Sequence, residues 1–595
     1  MAAIVIDRFG GIAPRLDPSV LPPYGAQVAQ DTRLHAGVLR GFLRPASAIP
    51  PLPVPVDTKT LFLSGTNWFT WSSYVDIVDG PVADAAAAKR YYYTGDGVPK
   101  KTDATLAVTG SGAMPRTWRH MGVPAPAAFT AAITAHVGTS TAVNVVYVAT
   151  YVSEFSGIEE ESAPSAPVTV AGWQDGTTAD TVTFTWAAGG VVPTDHYNIT
   201  KRRIYRSHGG DYLFVKEVAV GTATSTENVS VSGLMEAIST TDFDEPPANL
   251  TGLIALPNGS LAGISGNEIC FSEPYQPHAW PAKYRQPVAD VPVALVAAGQ
   301  GCYIATQKRP AICTGVHPDS MTLEWANKAA PCVAPRSVAF DGRGFMYATY
   351  NGVAYVTGTD VAVSSLGGMT QEEWGRYAPS TMVGLFYDER YSLFYEVSAE
   401  ERGALQFDQA MSDAPITHSR EFTTAAYVDG STGALYVVDD GEIKTANADL
   451  INPRTPYVWR SKLFILPNPL NFGYGQVLVD DTQEGGDSFA ARLAFNEAVA
   501  ASGGGDLSGA WGAIEFNEYP VNGSALLTDI TDSADYVTLR IYAGGKMVST
   551  RNILSNAPFK LLAGFKHTDW EIEVAGTMPV RRVTLATSMA EIKAR

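Results

Sequence analysis

A chain of 595 residues is too long for one hydrophobic core and is expected to divide into about two to four domains. Hydrophobic residues make up 46% and charged residues only 17%, with 55 Gly and 38 Pro, a balance that reads as many short strands joined by tight turns. Sixty acidic against 42 basic side chains leave a net charge of -18, which argues against gripping nucleic acid by phosphate neutralisation. A wall of DNA's own sign repels it over a Debye length of roughly 8 Å, so DNA could still pass such a wall without adhering.

The first residues, MAAIVIDRFGG, lack a basic start followed by a long apolar core, so no secretory signal is expected and synthesis in the cytosol is. The next segment, GGIAPRLDPSVLPPYGAQVAQDTRLHAGVLRGFLRP (10–45), carries Pro14, Pro18, Pro22 and Pro23, which force an extended course. Residues 1–50 are therefore expected to form an extended arm, costly to order unless it docks on its own chain or on a neighbour. Pro14, Leu16, Pro18, Leu21 and Tyr24 are its candidate inter-subunit residues. Strand-like TLFLSGTNWFTWSSYVDIV and KRYYYTGDGVPKKTD then mark a first blade region at 51–124.

The uncharged run 125–153 is broken by His136 and Gly138 and ends in Val/Tyr/Thr-rich VNVVYVATYVS, so it reads as a strand and not as a membrane span. With VTFTWA, NITKRRIYRS and DYLFVKEVAV it fits an inserted immunoglobulin-like or fibronectin type III-like β-sandwich at 125–244. Lys201, Arg202, Arg203 and Arg206 lie on one of its strands. An exposed strand face is expected for them, a nucleic-acid patch being the alternative.

From Leu253 the sequence LIALPNGSLAGISGNEICFSE gives strand, PNG turn, strand, GN turn, strand. Related units start at Val293, Ser337, Met382 and Thr424, at the spacing of about 40 to 45 residues that a four-stranded propeller blade has. Residues 245–452 thus read as the remaining blades, about six in all with the first. The stretch FSEPYQPHAWPAKY (271–284) holds four aromatics, three prolines, a histidine and a glutamate. Aromatic faces beside a carboxylate and an imidazole suit carbohydrate chemistry, whereas prolines between bulky rings suit a packed corner. Following the third strand of a blade, this loop is assigned structure, with Phe271, Glu273, Tyr275, His278, Trp280 and Tyr284 as its corner residues. The four cysteines, Cys270, Cys302, Cys313 and Cys332, lack CxxC spacing and read as buried free thiols.

After residue 453 the rhythm stops. Strands YVWRSKLFIL, YVTLRIYAGGKMVSTRNI and FKHTDWEIEVAGTMPVRRVTLATSM give a β-rich C-terminal region, 453–595, completing the fold. A Gly/Ala-rich insertion near 485–525 includes FAARLAFNEAVAAS, read as a short helix; nothing else is expected to be helical. No HExxH, GxSxG or Gly-rich loop ending in Lys-Ser or Lys-Thr occurs. The carboxylates Glu372 with Glu373, and Glu159 to Glu161, are read as solvated faces. No residue is singled out as catalytic, cofactor-binding or metal-ligating, and no cofactor is expected.

Several stretches resemble one family, the tail nozzle (tail tubular or hub) proteins of short-tailed bacteriophages. The segment 10–45 is similar to their N-terminal segment, and GLIALPNGSLAGISGNEICFSEPYQPHAWP to the strands that lead into their propeller. ITKRRIYRSHGGDYLFVKEV and PFKLLAGFKHTDWEIEVAGTMPVRRVTLATSM resemble theirs as well, about half the chain in all, whereas 485–525 matches no part of the family. The resemblance implies a non-enzymatic virion component made in the host cytoplasm. It implies a homo-oligomeric ring, a hexamer, below a portal and an adaptor (head-to-tail connector) ring. Such a ring would contact tail fibre or tip proteins, and would retain and then conduct genomic DNA without sequence-specific binding or stable membrane insertion. Two other readings stay open on the residues alone. One is a propeller that binds or degrades host-surface polysaccharide, for which 11 Trp and 27 Tyr supply stacking faces. The other is an adhesin whose binding module is the sandwich.

Overall fold

The structure is a computed structural model that describes residues 3–34, 37–48, 50–81, 89–186, 196–363, 368–408, 416–449, 454–479, 536–553, 556–562 and 564–593. The Gly/Ala-rich insertion and the short helix expected at 489–502 lie outside these residues. The protein is mainly β. Among the described residues the α-helices are two five-residue turns, Gln371–Gly375 and Met589–Lys593. The first was not expected, although Thr370 and Glu373 spell a capping box: the Glu373 carboxylate accepts from the Thr370 backbone N–H at 2.8 Å and its hydroxyl at 2.9 Å. The adjacent acids are thus not equivalent, since Glu373 holds a helix start.

The chain forms two compact units, Phe62–Ala329 and a second made of Met1–Leu61 with Ala330–Arg595. In the first unit, three sheets are each four antiparallel strands in chain order. They are Asp76–Asp79, Arg90–Thr94, Lys100–Asp103 and Arg119–His120; then Thr251–Ala255, Leu261–Ser265, Glu268–Phe271 and Gln286–Pro287; then Pro292–Ala298, Gly301–Thr306, Ala311–Thr314 and Thr322–Trp325. The PNG turn works as its sequence demands: Gly259 sits at φ 84°, open to glycine at little cost. Ile264, Ile269, Phe271, Leu295 and Ile304 join the second and third sheets in one core.

Between the first two of these sheets in sequence lies a two-sheet sandwich. Phe129–Ala135, Thr181–Trp186 and Thr224–Glu227 form one sheet. In the other, the long strand Val143–Phe155 pairs with Ile158–Glu161, Val168–Trp173 and Ile199–His208, and the last of these pairs with Asp211–Ala219. Tyr147, Ala149, Trp173, Phe184, Trp186 and Ile204 from both sheets share one core. The uncharged run therefore ends in a sheet strand, and no helix among the described residues is long and apolar enough to cross a membrane.

The second unit holds the sheet Ala339–Phe340, Phe345–Thr349, Gly352–Thr357 and Asp360–Val363, and the four-strand run Val383–Tyr387, Arg390–Glu396, Arg402–Asp408 and Ile416–Ser419. A further sheet runs Ala426–Val428, Leu435–Asp439, Glu442–Asp449 and is completed by Arg44–Ser47, far away in sequence. The segment expected as an extended arm thus contributes five short strands among the described residues. Ala3–Ile6 pairs with Val580–Ala586, and Ala26–Gln30 lies between Ile416–Ser419 and Tyr457–Ser461. The reason is burial: Ile4, Ile6, Phe9 and Ile12 enter a core shared with Trp459, Ile572, Val574 and Leu585.

Candidate functional site

The aromatic-proline loop was the one place where sequence offered sugar chemistry. Phe271 ends its strand fully buried, and the chain then folds on itself through Glu273 N–H to Ala279 O at 2.9 Å and Ala279 N–H to Gln276 O at 3.0 Å. Trp280 is buried, its indole N–H donating to Pro277 O at 2.9 Å and its backbone N–H to Asp244 O at 2.8 Å. Tyr284 is buried edge-on to His317, and burial, with the Glu273 carboxylate near its hydroxyl, raises its pKa. Tyr275 is exposed in a left-handed turn, φ 59°.

His278 is the decisive residue. Its ring is buried, with Nε2 at 3.2 Å from Glu161 O and Nδ1 at 4.0 Å from the Glu160 carboxylate. A carbonyl only accepts, so Nε2 carries the proton and Nδ1 is bare. Burial, more than any neighbouring charge, holds the imidazole below its ordinary pKa and hence neutral. His278 is turned inward onto Glu161 and Glu160, so it is not offered beside Glu273 on an open face. The loop instead fastens the strands Glu268–Phe271 and Ile158–Glu161 of this unit together.

Behind His278 lies a buried ion pair. Lys101 donates to the Glu160 carboxylate and to Met121 O, the latter at 3.1 Å, with its ammonium 5.1 Å from the centre of the Phe155 ring. Burial lowers the Lys101 pKa against the pull of Glu160. Close by, Tyr197 donates to Glu245 at 3.1 Å, and burial raises that carboxyl.

The acidic triplet and its basic counterpart are each solvated only in part: Glu159 and Lys201 stay accessible, while Glu160, Arg202 and Arg206 are buried. Strand alternation sends Glu160 inward to Lys101 and leaves Glu159 and Glu161 facing Lys201 and Arg203, with Lys201–Glu159 at 2.6 Å and Arg203–Glu161 at 2.8 Å. Arg202 and Arg206 point the other way, into the sandwich. Arg202 lies 4.6 Å from the Trp186 ring centre and Arg206 4.3 Å from that of Trp173, and Arg206 pairs with Glu227 at 3.1 Å. None of the four is left as a free phosphate contact. The cysteines are buried and free, as expected, with Cys302 directly across from Cys313 on neighbouring strands.

Along the N-terminal segment, Leu21 is buried, Pro18 and Tyr24 are half-buried, and Pro14 and Leu16 are exposed. The segment docks on its own chain. Leu463 N–H donates to Pro18 O at 3.0 Å, the Lys462 ammonium to Leu21 O at 2.6 Å, and Gly10 N–H to Tyr24 O at 2.7 Å, while Arg8 covers the Tyr24 ring. Asp31, which sequence reasoning passed over, is fully buried in a left-handed turn and accepts from the Arg420 guanidinium at 2.6 Å and the Arg420 backbone at 2.8 Å. Its partner is so distant in the chain that no local signal could have named it.

No family model matches the chain, and no curated protein matches it. Among solved structures it is similar to the WD40 domain of Neurospora crassa Pan2, at 8% identity over 45% of this chain and 83% of that one, TM-score 0.22. It is also similar to PorZ, a bacterial surface component of the type-IX secretion system of Porphyromonas gingivalis, at 9% identity over 86% of this chain and 55% of PorZ, TM-score 0.27. Likenesses this distant carry no argument about what this chain binds.

Proposed function

We propose that this chain is a tail nozzle protein of a short-tailed bacteriophage, a non-enzymatic conduit that assembles into a ring of about six by head-to-tail contacts. In this reading the four-stranded sheets are blades of one six-bladed propeller, and the two-sheet insertion is its fibronectin type III-like module. The observation that carries it is the order of the parts: a four-stranded meander, a sandwich, then further meanders, with both chain ends woven into one core. The four stretches that resemble nozzle proteins fall on those parts. Burial of His278 beside a Glu160 already occupied by Lys101 weighs against a polysaccharide-cleaving loop. A net charge of -18 suits a wall that DNA passes without adhering. The adaptor ring and fibre or tip proteins are the proposed partners, and the virion the proposed location.

Native mass spectrometry of the purified chain, with and without its candidate adaptor ring and checked by negative-stain images, tests this reading. A closed ring with an open axis is expected in at least one condition. A strict monomer in both would overturn the conduit.

A further inference from the structure

In the unit made of 1–61 and 330–595, the sheet containing Arg390–Glu396 and the sheet completed by Arg44–Ser47 together line a cavity of about 270 Å³. Alternation divides the strands that build it. Tyr391 and Leu393 turn into the hydrophobic core, while Arg390, Ser392 and Phe394 face the cavity; Leu405 and Phe407 go to the core, while Arg402, Ala404 and Gln406 face the cavity. Space between packed sheets is ordinarily filled by interdigitating apolar side chains. Here it is lined by charge.

Arg390 is only 7% exposed, yet its guanidinium makes no hydrogen bond and no ion pair among the described residues. A guanidinium stays charged, and a buried unpaired charge is expensive. Asp408, directly across on the neighbouring strand, and Asp388, itself paired with Arg33 at 2.8 Å, are the opposite charges that act on it, and neither bonds to it. Arg33 and Arg40 add positive charge nearby. The Glu421 carboxyl also faces the cavity without a hydrogen bond or ion pair among the described residues, and burial, with Asp31 and Asp439 adding to it, pushes it up to about 7. At neutral pH it can therefore donate a hydrogen bond that an ordinary carboxylate cannot. Phe42 and Phe394 supply apolar faces.

We propose that this cavity binds a small hydroxylated carboxylate of the hexuronate class, with its carboxylate on Arg390 and its hydroxyls toward Glu421, Ser392 and Gln406. An unpaired buried guanidinium calls for a planar anion, which it can grip with two parallel bonds. Mixed hydroxyl, amide and ring faces call for a polyol body. The volume lies just under the roughly 300 Å³ at which drug-sized sites begin, so one sugar ring is accommodated and a chain of them is not. This inference is independent of the conduit reading, because it rests on a single unit of the chain.

Isothermal titration of the full chain with D-glucuronate, D-glucose and acetate tests it. Glucuronate is expected to bind at least tenfold more tightly than either of the others. Arg390→Gln should weaken it tenfold or more, and Arg390→Lys should restore part of the loss. Should Arg390→Gln fail to fold, Ser392→Phe, which fills the cavity from a neighbouring position, serves in its place and should likewise abolish binding. Glucuronate that gives no heat at millimolar concentration, or that binds Arg390→Gln and Ser392→Phe unchanged, would overturn the proposal. So would acetate or glucose binding as tightly as glucuronate, because the site would then be a bare anion hole or a neutral sugar cleft.

Discussion

Two of the places where the molecule buries charge treat it in opposite ways. Around Lys101, the ammonium has a carboxylate and a carbonyl, Glu160 faces Lys101 with a neutral imidazole near it, and Tyr197 reaches Glu245. Around Arg390 and Glu421, neither group has a hydrogen-bonding partner among the described residues, and both face open space. A low dielectric makes each paired contact strong and each unpaired charge costly, so the two arrangements answer different needs. The first, closed on all sides, fixes how one loop and two strands meet. The second stays costly until something enters it.

The comparison breaks first at its strongest member. Glu160→Gln leaves the Lys101 ammonium buried with no counter-charge, and a loss of about 3–5 kcal/mol is expected. Adding Lys101→Met should return most of that loss, since an apolar pair of similar shape removes both charges. Urea denaturation read by tryptophan fluorescence measures both. A loss below about 1 kcal/mol for Glu160→Gln would mean that the pair is not shut away from water.

Neither interior was legible in the sequence, although the elements around them largely were. Strand, PNG turn, strand is local information, and LIALPNGSLAGISGNEICF folds as that pattern predicts. The rule of alternation, applied to TKRRIYRS, already places Arg202, Ile204 and Arg206 on one face; what it lacks is any sign that Trp186 and Trp173 wait beneath. Lys101 and Glu160 sit on different elements, and the spacing between them encodes no meeting. The N-terminal segment was only partly legible for a related reason. Its prolines report local stiffness correctly, but its strands are set by partners such as Leu585 and Trp459 at the far end of the chain. The cavity did leave a short trace: polar and apolar residues alternate over Arg390, Tyr391, Ser392 and Leu393, within the unit that starts at Met382.

A smaller effect separates the two interiors by pH. The folded state holds the Glu421 proton up to about 7, whereas the unfolded chain releases it near the ordinary 4.5. Stability from this group is therefore lost as pH rises from about 4.5 to 7, by roughly 3 kcal/mol, and is level above that. Glu421→Gln should remove that slope. His278 acts with the opposite sign. Its folded pKa is lowered by burial, so stability is full above the ordinary 6.5 and falls as pH drops below it. His278→Gln should flatten the acid side only. Chemical denaturation at pH 5, 6, 7 and 8 separates the two; a Glu421→Gln profile parallel to that of the parent protein would show that the carboxyl is not held protonated.

The smallest expected effect belongs to the most conspicuous aromatic. Tyr275 is 55% exposed and sits at φ 59°, a conformation that costs a bulky L-residue about 1–2 kcal/mol. Its ring lies against Gly259, where an added Cβ would come within 2.7 Å of it. Tyr275→Gly thus relieves backbone strain while losing a half-exposed contact and loosening the unfolded chain, and the terms should cancel to within about 0.5 kcal/mol. Gly259→Ala, by contrast, meets both the ring and its own φ of 84°. In the Tyr275→Gly background only the second of these remains, so the cost of Gly259→Ala should shrink without vanishing. A double-mutant cycle on melting temperature reads the difference, and equal costs in both backgrounds would mean that the ring does not rest on Gly259 in solution.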